Sequence, residues 1–218
     1  MTDTIRVFIG TDGDFHQDAE KVIEYSIHTN TKEPVEVNFI RPGWKTPPTG
    51  FSSHRYLIPS LCNYEGYAIY LDVDMLVLGD LRELWDYRTE GRWCITNFDP
   101  KGLRDEVSVI DCSAFQNIPL DDLRTNQGKT IGKNAVKSKF LINIPSTWNE
   151  QRLCTDADKY SICSSGSCDG RMGETKLIHY TNLQAQPWCP DPNIDYVPYG
   201  CIHASNLFFE YLEKANQI

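Results

Sequence analysis

The chain has 218 residues, 40% hydrophobic and 23% charged, the balance of a soluble globular domain rather than a fibre, a coiled coil or a disordered tail. Twenty-one Lys and Arg against 30 Asp and Glu leave a formal net charge of -9, which repels a phosphate backbone, so no nucleic acid partner is expected. The densest basic stretch, Lys129 to Lys139, spreads four lysines among apolar and small residues and reads as a solvated face.

No apolar run approaches the roughly 18 residues of a membrane span, so no transmembrane segment is expected. Met1-Thr2-Asp3-Thr4 carries neither a basic segment nor an apolar core, which predicts no signal peptide and a cytoplasmic location. The eight cysteines include no Cys-x-x-Cys pair and read as reduced, mostly buried thiols. Length predicts a single domain over 1–218, either a whole protein or one module of a larger one.

In chain order, Ile5 to Gly10 is a β-type run stopped by Thr11-Asp12-Gly13-Asp14. Ala19, Val22, Ile23, Ser26 and Ile27 recur at three and four residues and predict one helix with a single apolar stripe. Val35 to Ile40 reads as a strand, and Arg41 to Gly50, with three prolines, as a loop. Arg55 to Leu61 predicts a short helix and Leu81 to Trp85 a helical turn. Tyr67 to Leu78 is the most apolar segment, interrupted by Asp72 and Asp74. Trp93 to Asn97, Val107 to Asp111 and Lys176 to Thr181 read as further strands. Phe208, Phe209, Tyr211 and Leu212 form a small apolar cluster expected to dock on the core. Strands alternating with helices predict an α/β fold with a mainly parallel sheet, whose ligands bind at the carboxyl ends of the strands.

The two aspartates stand near such an end. Bare carboxylates in an apolar strand are costly unless a cation or hydrogen bonds compensate. Residues i and i+2 of an extended chain share a side, so Asp72 and Asp74 are offered together around Val73. Such a pair is a hard-oxygen site suited to Mg²⁺ or Mn²⁺ carrying a diphosphate. The same pattern ends a strand in haloacid-dehalogenase-like phosphatases, where Asp72 would be the phosphorylated nucleophile. Leu76 stands where that pattern has a small Thr or Val.

Ser53-His-Arg-Tyr-Leu-Ile-Pro59 and Tyr67-Ala-Ile-Tyr-Leu-Asp-Val-Asp-Met-Leu-Val-Leu-Gly-Asp-Leu-Arg-Glu-Leu-Trp-Asp86 together resemble glycosyltransferase family 8, the glycogenin and lipopolysaccharide galactosyltransferase group. Phe8-Ile-Gly-Thr-Asp-Gly-Asp-Phe15 resembles its first strand and nucleotide loop. Leu177-Ile-His-Tyr-Thr-Asn-Leu-Gln-Ala-Gln-Pro-Trp188 resembles its late histidine motif. The resemblance implies a GT-A fold, a Rossmann-like mixed, mainly parallel sheet flanked by helices. It also implies a metal-dependent glycosyltransferase that moves a sugar from a nucleoside-diphosphate sugar to a carbohydrate or other hydroxyl acceptor, with retention. Uridine diphosphate is the family's common carrier, with guanosine diphosphate as the alternative.

Carried over, Asp72, Asp74 and His179 would hold Mn²⁺ or Mg²⁺. Thr11, Asp12, Phe15, Arg55 and Val73 would join Asp72 and Asp74 around the nucleotide. Asn182, Gln186 and Trp188 would face the phosphate and acceptor region. Asp122 and Gln127 are the candidates for the catalytic pair beside the donor sugar. The chain departs from the family at Asn182, where a glycine is usual, and at Gln186, where a diphosphate-binding lysine is usual. A nucleotide-sugar-binding module without turnover is the remaining alternative.

Overall fold

The computed structural model describes residues 4–12, 16–41, 50–99, 102–118, 120–125, 127–151, 174–181, 185–190 and 202–218. The first strand, β1 (Ile5–Gly10), is apolar on both faces, with Ile5, Val7 and Ile9 fully buried and Phe8 nearly so. Burial on both faces makes it a central strand. It lies between β2 (Val35–Ile40) and β3 (Tyr67–Asp72) and is parallel to both. The sheet continues through β6 (Gly102–Asp111) and β5 (Trp93–Asp99) to β7 (Phe140–Ile144), giving the order β2-β1-β3-β6-β5-β7. Only β6 is antiparallel to its neighbours, so the sheet is mixed and mainly parallel, as expected. The chain leaves β1 toward β2 on one side and β3 lies on the other. The carboxyl ends of β1 and β3 therefore flank a topological switch point.

Two apolar layers cover the sheet. On one face α1 (Gln17–Asn30) and α3 (Leu81–Trp85) bury Ala19, Ile23, Ile27, Leu81, Leu84 and Trp85 with Val7, Ile69 and Leu71. The α1 stripe is the predicted one, and Asp80 caps α3 by accepting from the Arg82 N–H at 3.0 Å. On the other face a 3-10 segment over Gly50–Leu57 runs into α2 (Ile58–Leu61), where a single helix was expected from Arg55. Beside it packs α4 (Gly128–Val136). The lysine-bearing stretch is thus a helix whose buried stripe is Gly128, Gly132 and Val136, with Tyr56 against Gly132.

The apolar run from Tyr67 does not continue as one strand. It bends at Val73-Asp74 and enters β4 (Met75–Val77), which pairs antiparallel with β8 (Leu177–His179) in a separate two-stranded sheet. The two acids mark the place where the chain leaves the main sheet. Ser26 ties this piece to α1, donating to the Ile23 carbonyl at 2.8 Å and accepting from the Val77 N–H at 3.1 Å. Over it lies α5 (Ile202–Ala215), which buries Ala204 and Phe208 against Val22, Leu76, Ile178 and Tyr180. Phe208 docks as expected, whereas Phe209 remains 45% exposed. A short pair, β9 (Ala185–Gln186) and β10 (Cys189–Pro190), completes the described strands. Cys62, Cys94 and Cys112 are free and buried.

Candidate functional site

Asp72 is the last residue of β3, opposite Gly10 of β1. The next residue, Val73, donates its N–H to the Gly10 carbonyl at 3.1 Å, which holds the bend against β1. Asp74 follows, and its carbonyl accepts from the Tyr180 N–H at 2.8 Å. His179 ends β8 opposite Met75, one residue past Asp74. Two strands and one bend therefore bring Asp72, Asp74 and His179 together, each buried, with one donor atom from each lying within 4.8 Å of the others.

Each group has a distinct environment. Arg55 donates from Nη2 to Asp72 Oδ1 and Oδ2 at 3.0 and 3.3 Å, and the Tyr70 hydroxyl also donates to Oδ1. Burial and, less strongly, the Asp74 charge push the Asp72 pKa up to about 6 against the opposing pull of Arg55. Gln186 Nε2 donates to Asp74 Oδ2 at 3.2 Å and to the Tyr180 carbonyl at 3.0 Å. Asp74 Oδ1 has no hydrogen-bond partner, although it is buried and 3.2 Å from His179 Nε2. The His179 Nδ1 is 2.8 Å from Asn149 Oδ1. Burial works against a charge on His179, but Asp74 outweighs it and raises the imidazole pKa.

These residues fit a divalent cation. Two carboxylates buried together are costly, and the Asp74 oxygen that faces the imidazole makes no well-formed hydrogen bond. Two hard oxygens and one imidazole suit Mn²⁺ or Mg²⁺ better than a softer ion.

Arg55 is fully buried, and its reach is not limited to Asp72. Its Nη1 lies 2.9 Å from Asp105 Oδ1, and its guanidinium stacks 4.7 Å over the Tyr70 ring. Tyr56 donates to Asp105 Oδ2 at 2.7 Å, and Lys133 of α4 comes within 3.9 Å of Oδ1. Burial alone would raise the Asp105 pKa; Arg55, the Tyr56 hydroxyl and the lysines of α4 together hold it below the usual carboxylate range. Arg55 thus spans two buried acids and anchors Asp72.

Beyond β1, Thr11 is buried and its hydroxyl donates to Glu20 Oε1 at 2.7 Å, with Arg41 pairing to the other oxygen of Glu20. Asp12 Oδ1 is 3.7 Å from His16 Nε2. Trp188 donates from Nε1 to His16 Nδ1 at 3.1 Å and packs on His16, Tyr180 and Phe208. The Pro-Trp motif is thereby joined to the segment after β1. Asp122 and Gln127 are exposed on the turn into α4, where the Asp122 carbonyl and the Gln127 N–H both bond Thr125 Oγ1. Phe15 and Asn182 lie outside the described residues.

No protein-family model matches the sequence. The chain superimposes on the bifunctional glycosyltransferase WbbM in its apo form with a TM-score of 0.64, covering 100% of this chain and 52% of that one at 14% identity. On the glycosyltransferase GlyE of Streptococcus pneumoniae TIGR4 the score is 0.61, over 96% of this chain and 61% of that one at 16% identity. On the galactosyltransferase LgtC, solved with donor and acceptor sugar analogues, it is 0.59, over 97% of this chain and 96% of that one at 16% identity. The fold is GT-A. It is the fold that the family 8 resemblance implies, and in it the Asp-x-Asp bend stands at the carboxyl end of β3. Over 94 residues the sequence is also 34% identical to Protein CDI of Arabidopsis thaliana, a match of 37% of this chain and 36% of that protein. The chain spans about half to three fifths of WbbM and GlyE, and the match reaches about a third of Protein CDI.

Asp105, Tyr56, Tyr70, Asn149 and His16 escape a reading of the sequence alone. Tyr70 carried a signal, two residues before Asp72 on the same side of β3. Tyr56 and His16 adjoin Arg55 and Phe15 but carried no signal of their own, whereas Asp105 and Asn149 come from distant segments that only the fold brings in.

Proposed function

We propose that this chain is a metal-dependent glycosyltransferase that transfers a sugar from a nucleoside-diphosphate sugar, with uridine diphosphate as carrier, to a carbohydrate hydroxyl with retention of configuration. The observation that carries the reading is the buried Asp72, Asp74 and His179 cluster at the carboxyl end of β3 in a GT-A fold. Residues 1–218 act in this reading as a single catalytic domain. In a GT-A fold the nucleotide belongs in the crevice beside β1, where Thr11 and Asp12 stand, with Phe15 as candidate cover for the base.

When bound, the divalent ion, Mn²⁺ or Mg²⁺, neutralises the charge that grows on the departing diphosphate. Asp72, Asp74 and His179 would hold it. Arg55 and Tyr70 keep the Asp72 carboxylate in one orientation, so little reorganisation is needed as charge develops. Gln186 stands where the family's lysine is usual and is turned onto Asp74, so it adds no positive charge for the diphosphate. Asp122 and Gln127, exposed near α4, are the candidates for steadying the sugar as the anomeric bond breaks.

A phosphatase using Asp72 as nucleophile is disfavoured by the same contacts. Both oxygens of Asp72 are engaged by Arg55, and a phosphorylated Asp72 would have to displace that pair.

The test is incubation with UDP- and GDP-sugars and Mn²⁺, following release of the free nucleotide. The expected result is slow hydrolysis of a UDP-sugar that stops in chelator and returns with added Mn²⁺. Turnover that persists in chelator would remove the metal role. Release of phosphate from a generic phosphate ester would favour the phosphatase, and nucleotide-sugar binding without any turnover would favour a binding module.

A further inference from the structure

We infer that two carboxamide side chains, Asn149 and Gln186, are positioning residues that select which atom of His179 and which oxygen of Asp74 face the cation. The inference rests on the reading of Asp72, Asp74 and His179 as a cation centre, and adds the device that aims two of its ligands.

An imidazole can bind a metal only through a nitrogen that carries no proton, so its tautomer must be set. His179 Nδ1 is 2.8 Å from Asn149 Oδ1 in a buried contact. The orientation of that amide follows from its other partners. Asn149 Nδ2 donates to Thr96 Oγ1 at 3.2 Å, and Oδ1 accepts from Gln151 Nε2 at 3.4 Å. Thr96 Oγ1 in turn donates to the Arg104 carbonyl at 3.1 Å, so it must accept from Asn149. With its oxygen toward the ring, Asn149 accepts the proton of His179 Nδ1. A neutral ring then keeps its proton on Nδ1 and offers Nε2, which lies 3.2 Å from Asp74 Oδ1, to the cation that takes the place of the Nε2 proton. The backbone fixes the pair further, since the Asn149 N–H is held by the Ser146 carbonyl at 2.8 Å and the His179 N–H by the Glu150 carbonyl at 3.0 Å.

Gln186 does the corresponding work on Asp74. Its amide nitrogen has two protons, and both are committed, one to Asp74 Oδ2 and one to the Tyr180 carbonyl. Oδ2 is thereby turned toward Gln186, and Oδ1, which faces His179 Nε2 at 3.2 Å, is the oxygen presented. Partners of this kind are commonly worth about ten- to a hundred-fold in metal affinity.

The experiment is Mn²⁺ titration of the full chain, by calorimetry and by the electron-spin signal of free Mn²⁺. Asn149→Leu and Gln186→Leu should each weaken binding about ten-fold or more, while Asn149→Asp, which keeps the acceptor, should bind as well as the wild type or better. If Asn149 served packing alone, Asn149→Leu, which is close to it in size, would bind as well as the wild type, and that result would overturn its role; so would Asn149→Asp binding as poorly as Asn149→Leu. Nitrogen NMR of the Mg²⁺-loaded wild type should show the His179 proton on Nδ1; a proton on Nε2 would equally overturn it. Wild-type affinity in Gln186→Leu would remove Gln186 from the proposal. A wild type that binds neither Mn²⁺ nor Mg²⁺ would overturn the cation centre itself, and is told apart because it fails before any substitution. Should Asn149→Leu not fold, Asn149→Asp, Gln186→Leu and the NMR measurement still decide the question.

Discussion

Arg55 meets Asp72 through both carboxylate oxygens, at 3.0 and 3.3 Å, while its other terminal nitrogen is 2.9 Å from Asp105. All three residues are at most 5% exposed. A buried pair adds little net stability over a well-packed apolar pair, but removing one partner strands the other charge. Arg55→Met strands two. It should lower unfolding stability by about 3–5 kcal/mol, read in denaturant melts. Arg55→Lys should recover only part of the loss, because one ammonium cannot copy a planar fork shared by two carboxylates. Equal stability of wild type and Arg55→Met would show that the two acids are neutral in the fold.

The sequence announces the strands and the ligands more clearly than the network that supports them. The apolar pattern marks β1 and α1 because each buries a set of apolar side chains, and β2 because Val35, Val37 and Phe39 alternate against the core. Asp72 and Asp74 stand out because charge in an apolar run is expensive, and His179 because its surrounding motif is specific. The bend between β3 and β4 is less visible, since both flanks are equally apolar and only the acids break them. Helix α4 was missed for a different reason. Its buried stripe holds Gly128 and Gly132, which have no side chain to register as apolar. Asn149 and Asp105 are single polar residues whose partners lie 30 and 50 positions away along the chain, and no local pattern encodes that.

Gly10 illustrates how closely the sheet is fitted around the site. A Cβ at this position would sit 2.3 Å from the Tyr70 hydroxyl, the group that donates to Asp72. Gly10→Ala should therefore displace Tyr70 and cost about 1–3 kcal/mol of stability. The clash is with the hydroxyl, since the next ring atoms are 3.1 Å away. In a Tyr70→Phe background the alanine should cost markedly less. A double-mutant cycle in denaturant should give a coupling of at least about 1 kcal/mol. Additive effects would mean that the alanine is accommodated by strand movement instead.

His54 gives a pH signature. Burial, aided by the neighbouring Arg55 charge and only partly opposed by a hydrogen bond to the Ile40 backbone, lowers its pKa from 6.5 to about 4. The unfolded chain then binds a proton between about pH 6.5 and 4 that the folded chain refuses. The neutral-histidine contribution is fully present above about 6.5, is lost as the pH falls, and levels off below about 4. A shift of this size corresponds to about 3 kcal/mol across the window. Asp72, raised to about 6, acts in the opposite sense, so the wild-type profile alone is flattened. The difference between wild type and His54→Gln isolates the histidine. That difference should favour the wild type more at pH 7 than at pH 4, and a pH-independent difference would show His54 to be protonated alike in both states.

Asp74 separates the requirements of the fold from those of the reaction. Its Oδ1 has no hydrogen-bond partner and its Oδ2 accepts from Gln186. Asp74→Asn is nearly the same shape, and its carbonyl oxygen can still accept from Gln186. The exchange removes a buried charge beside Asp72, whose own pKa that charge raises, and it gives up the ion pair with His179 at 3.2 Å. These two changes oppose each other, so unfolding stability in chelator should stay within about 1 kcal/mol of wild type. The cation, by contrast, loses an anionic ligand that an amide replaces poorly. Nucleotide-sugar hydrolysis and transfer should fall by at least about 100-fold, about 2.7 kcal/mol of transition-state stabilisation. The two readouts must diverge, with melting preserved and turnover gone. An Asp74→Asn protein that still turns over the nucleotide-sugar in the presence of Mn²⁺ would mean that the bend after β3 serves only to steer the chain into β4.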